Sequence, residues 1–132
     1  MSVSIVKKAI IDRLNEGGGI VYDGDRVPVI YPPGVQGQEK PAIYITNPTI
    51  NASFEISKGG VFNYIGTADL IAYARASGYK DGTTTDVCEL IRACLHNWKP
   101  SDEVNIFVPT QINELPPEDR YMSASITFDW RA

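Results

Sequence analysis

Few residues in this chain could do chemistry. They are one histidine, His96, two cysteines, Cys88 and Cys94, and three short acidic groups, Asp23-Gly24-Asp25, Asp102-Glu103 and Glu118-Asp119. Hydrolysis by a nucleophile and a base needs an imidazole or its equivalent held beside that nucleophile. His96 falls near the end of a helical pattern, next to Asn97 and Trp98, where an imidazolium would sit well against the negative end of the helix. It therefore reads as a helix-end residue, and no catalytic residue is expected. Asp23-Gly24-Asp25 is too short for a calcium loop with a distant bidentate Glu and reads as a tight turn. The other two acidic pairs read as solvated surface charge, not as a tuned acid and base. Cys88 and Cys94 lie six apart within an apolar stretch, which suits neither a CxxC pair nor a zinc knuckle, so both are expected to be core thiols. Gly17-Gly18-Gly19 follows a helix instead of a strand, and no phosphate-cradling glycine motif is present. No metal and no cofactor is expected.

The elements around these residues are more informative. Val3, Val6, Ile10 and Leu14 recur at helical spacing after a possible Ser2 or Ser4 cap, and the three glycines end that helix. Ile20-Val21-Tyr22 and Val27-Pro28-Val29-Ile30-Tyr31 bracket a hairpin turn, with Pro28 confining the second run to an edge or an irregular position. Residues 32–41, PPGVQGQEKP, read as a long loop. Strands are expected at 42–46 and 50–56, then along 61–74, where the small residues Gly66, Ala68, Ala72 and Ala74, on the side that also carries Tyr64 and Leu70, offer a helix a close seat. That long strand is expected to be an edge, hazardous unless a neighbouring subunit covers it. After a second loop at 77–82, a helix is expected with Asp86 and Glu89 as a capping box. Its apolar residues Val87, Leu90, Ile91, Cys94, Leu95 and Trp98 lie at offsets of three, four, seven, eight and eleven. A short strand at 104–108 and a third loop at 109–119, PTQINELPPED, come next. The closing strand carries Met122, Ala124, Ile126, Phe128 and Trp130 on one face. The expected class is α+β: a mostly antiparallel, mixed sheet packed against two helices, in the order α-β-β-β-β-β-α-β-β, as a single domain over residues 1–132.

Composition narrows the function. With 43% hydrophobic and 21% charged residues, the 132-residue chain has the make-up of an ordinary folded domain. Its net charge is -4 and its lysines and arginines are scattered, which disfavours nucleic-acid binding as the main task. The N-terminal residues, with Lys7 and Lys8 after the apolar ones, do not read as a signal peptide, and no stretch reaches the roughly 18 apolar residues that span a bilayer. A cytosolic site of synthesis without membrane contact is expected. Tyr44, Tyr64 and Trp130 fall within strand patterns and read as packing residues, not stacking platforms.

In the order, length and hydrophobic phase of its elements, the whole chain resembles the tail terminator, or tail completion, proteins of long-tailed bacteriophages. The residues that carry the resemblance are VSIVKKAIIDRLNE, PAIYITN, YIGTADLIAYA, TDVCELIRACLHNW and YMSASITFDW. The resemblance implies a homo-oligomeric ring, a hexamer, that caps the tail tube and joins it to the head-side connector. It implies as partners the chain itself, the tail tube protein and the head–tail connector protein, with DNA passing through the lumen without specific binding. It places the protein in the host cytoplasm during assembly and then in the neck of the virion. By that analogy the candidate partner contacts lie in the three loops. They are Pro33, Val35, Gln36, Gln38, Glu39 and Lys40 in the first, Tyr79, Lys80 and Asp81 in the second, and Gln111, Asn113, Glu114, Glu118 and Asp119 in the third. The alternatives are another neck or head–tail connector protein, or a small cytosolic domain binding a peptide or ligand in a cleft between helix and loops.

Overall fold

A computed structural model of the chain describes residues 3–30, 41–56, 62–96, 98–99 and 107–131. The first helix, α1 (Val3–Asn15), buries Val6, Ile10 and Leu14, spaced by four so that they share one face. A 3-10 turn, Glu16–Gly18, follows, and Gly17, Gly18 and Gly19 all take positive φ, which stops the helix as their lack of a side chain allows. Strands β1 (Ile20–Tyr22) and β2 (Asp25–Val27) then form a hairpin through Asp23 and Gly24, both at positive φ. Pro28 splits the second apolar run in two. Beyond it, β3 (Val29–Ile30) leaves the hairpin and pairs in parallel with β4 (Ile43–Thr46), while the Pro28 carbonyl accepts a hydrogen bond from Ile45 N–H at 2.8 Å.

The main sheet has six strands, completed by β5 (Thr49–Ile56), β6 (Phe62–Arg75), β7 (Val108–Glu118) and β8 (Tyr121–Arg131). Its order is β3-β4-β6-β8-β7, with β5 also paired to β6. The long strand β6 is thus no edge: β4 holds its C-terminal part, β5 its N-terminal part, and β8 runs along its other flank from Ile65 to Arg75. The expectation that a neighbouring subunit must cover β6 is overturned by pairing within the chain. The class is α+β, as the hydrophobic pattern indicates.

Helix α2 (Thr83–Leu95) lies across β6 and β8, and the Cys88 thiol reaches the Ala124 carbonyl at 3.6 Å. Val87, Cys88, Ile91 and Leu95 are fully buried against Ala68, Leu70, Ala72, Ala124, Ile126 and Phe128. Small residues on β6 let the helix approach, and each buried large aliphatic side chain contributes about 1.5–3 kcal/mol. The same core takes in α1 and the β1–β2 hairpin, so both helices cover one face of the sheet. The capping box is not formed. The helix starts three residues earlier than Asp86, after Gly82 at φ 90°, and Thr83 and Thr85 hydroxyls donate to the Lys80 and Gly82 carbonyls. It also ends before Trp98, whose ring stacks on Phe107 at 5.5 Å and lies under the Arg13 guanidinium.

Candidate assembly surfaces

The residues singled out for chemistry are dispersed. His96 follows the last turn of α2 in extended conformation, exposed, with its N–H donating to the Arg92 carbonyl. Asp25 Oδ2 accepts the Tyr79 hydroxyl at 3.0 Å, and Glu118 and Asp119 lie at the end of β7. Among the described residues no three His, Cys, Asp or Glu side chains gather as a metal site would need. Cys88 and Cys94 are both free thiols, and burial pushes Cys88 up to about 12, where it is inert at neutral pH. Asp102 and Glu103 fall outside the described residues.

The three contact segments fare differently. Pro33, Val35, Gln36, Gln38, Glu39 and Lys40 lie outside the described residues. In the second segment Lys80 and Asp81 are exposed, but Tyr79 is half-buried and bound to Asp25. A matching link runs from the Tyr22 hydroxyl to Asp86 at 3.3 Å, so two Tyr–Asp pairs tie the hairpin to the start of α2. The third segment is not a loop. Residues 108–118 form β7, an edge strand on β8, and Gln111, Asn113, Glu114 and Glu118 are exposed positions along it. The prolines mislead here: Pro109, Pro116 and Pro117 sit at the two ends of β7, where the register shifts, as an edge strand tolerates. Asp119 and Arg120, at φ 47° and 66°, make the two-residue turn into β8.

The face of the sheet opposite the helices has two characters. Near the β7–β8 turn, Tyr44 stacks on Tyr73 with ring centroids 5.0 Å apart, and Tyr121 meets Tyr44 edge-on at 5.7 Å. The Tyr121 hydroxyl accepts from Arg75 Nε and donates to the Pro41 carbonyl at 2.8 Å. At the other end the face is polar. A groove of about 570 Å³ is lined there by Ser53, Thr67, Val108, Asp129 and Arg131, among others from β5, β6, β7 and β8. Gly66 forms part of its wall, and a side chain there would run into the Asn51 carbonyl and the Trp130 ring. A glycine within a strand pattern is a signal of such close approach. This groove is walled by strands, whereas a ligand-binding domain was expected to have its cleft between helix and loops. No helix of the described residues is long and apolar enough to cross a membrane.

No protein-family model matches the chain, and no curated protein matches it. A solved virion contains its fold. A chain of the native gene transfer agent (GTA) particle virion superposes with a TM-score of 0.69, covering 98% of this chain and 98% of that one at 13% sequence identity. End-to-end coverage on both sides means that the two chains share one architecture, not a local motif.

Proposed function

We propose that the chain is a structural subunit of a phage-like virion: a tail terminator protein that forms a homo-oligomeric ring, a hexamer, on the end of the tail tube. The observation that carries this reading is the full-length likeness to a chain of the gene transfer agent virion. The order and hydrophobic phase of the elements, which resemble the terminator proteins, supply the finer assignment. In this reading the tail tube protein binds one face of the ring and the head–tail connector protein the other. The candidate contacts are the first segment, with Lys80 and Asp81, and the exposed residues Gln111, Asn113, Glu114, Glu118 and Asp119. Interface complementarity does the work, and no catalysis is needed. The protein assembles in the host cytoplasm and ends in the neck of the virion.

Negative-stain electron microscopy of purified protein, alone and with tube protein, tests the proposal. Rings with a central hole are expected. Light scattering that reports a monomer at high concentration, even with tube protein present, sinks it.

A further inference from the structure

Across the polar end of the sheet the register reads Thr49 opposite Asp69, Asp69 opposite Thr127, and Thr127 opposite Gln111. Along the four strands crossed, β5, β6, β8 and β7, each is antiparallel to the next, and among the described residues β5 and β7 each keep one flank that no strand pairs. Proteins that remain single shield such flanks with lysine, proline, bulges or a covering element. Strand β5, TINASFEI, contains no lysine, proline or glycine. Strand β7 has its prolines and register shifts near its ends, and TQINEL between them carries one charge, Glu114. Phe54 on β5 is 69% exposed and Val108 on β7 is 48% exposed. Among the described residues no strand pairs with either flank along its middle, and each strand has an exposed apolar side chain.

We infer that the β7 edge of one copy pairs, antiparallel, with the β5 edge of the next, so that the sheets of neighbouring copies run on into one another. Strand direction favours this join. The two flanks belong to the first and last of four strands, each antiparallel to the next, so the last runs opposite to the first. Repeating the unit about an axis along the strands therefore brings β7 beside β5 of the next copy in the antiparallel sense, the more stable ladder. A two-fold β7–β7 dimer is the competing arrangement. It leaves both β5 flanks unpaired, whereas the head-to-tail join pairs the β5 and β7 flanks of each copy with its neighbours. Gln111 and Asn113 share the helix-free face with Asn51 and Ser53, Gln111 being level with Thr49; a closing sheet displaces neighbouring strands along one another, and pairings among these four positions sample that displacement. The inference rests on the ring reading only for closure.

Cysteine cross-linking tests it in the full chain. In a Cys94→Ser background, four chains each carry one β7 substitution, Gln111→Cys or Asn113→Cys, with one β5 substitution, Asn51→Cys or Ser53→Cys. All four positions are exposed, so the fold is retained. After copper–phenanthroline oxidation, at least one pair is expected to give a ladder of products on a denaturing gel, and none of the four chains with only one of these substitutions more than monomer. Dimers from a β7 cysteine alone would mean two-fold pairing and overturn the inference. Rings seen by microscopy with no cross-link from any pair overturn it too, while leaving the ring reading intact. A chain that never assembles overturns both.

Discussion

Tyr44 is 1% exposed on the side of the sheet that carries no helix, roofed by Tyr73 and Tyr121. Burial, then the neighbouring Tyr73, Tyr121 and Glu118, pushes its hydroxyl up from 10.0 to about 12, and burial does the same to Cys88 from 9.0. Each group is neutral when protonated, so a raised folded value means that the unfolded chain loses its proton first. The stability they contribute is whole below pH 9 and is lost as the pH rises toward 12. The melting temperature should therefore fall above pH 9, and Tyr44→Phe should flatten the part of that fall lying above pH 10, as followed by circular dichroism. An unchanged slope in the variant would show that Tyr44 is not the group responsible. The pattern reading placed Tyr44 as a packing residue, but its tyrosine neighbours come from β6 and β8, whose registers no sequence spacing fixes.

The element that departs most from its sequence is β7. Three prolines in eleven residues argue for a loop, and backbone pairing to β8 overrides them because an edge strand needs its donors on one side only. The turn that joins the two strands hid for a related reason. It uses Asp119 and Arg120 where Asn-Gly or Asp-Gly is the usual signal, and Arg120 at φ 66° bears a cost of about 1–2 kcal/mol for a left-handed side-chain-bearing residue. Arg120→Gly should relieve most of that cost, offset in part by glycine's greater freedom when unfolded, and raise the melting temperature by a few degrees. A lower melting temperature would indicate that the arginine side chain holds the hairpin in a way its backbone does not reveal. The closing strand and α2, by contrast, were legible because burial enforces their periods. Ala124, Ile126, Phe128 and Trp130 alternate into the core, and Val87, Ile91 and Leu95 follow one helix face. Position in the sheet was not legible. Hydrophobic period does not encode neighbours, so β6 reads alike as an edge or as a centre.

At the scale of the molecule, both helices of the described residues cover one face of the sheet, and the other carries Asp69, Asp129, Thr67 and Thr127 at its polar end. The Thr127 hydroxyl donates to Asp69 Oδ1 at 2.6 Å, so part of this acidity is already engaged. With a net charge of -4, the chain should show no appreciable affinity for duplex DNA in fluorescence anisotropy at physiological salt. Binding in the micromolar range there would contradict a lumen through which DNA slides freely.

Strand β6 is flanked along almost its entire length, by β4 and β5 in succession on one side and by β8 on the other. An amide midway along it meets solvent only when a ladder parts, and the ladders share a single backbone, so the strand yields as a unit or not at all.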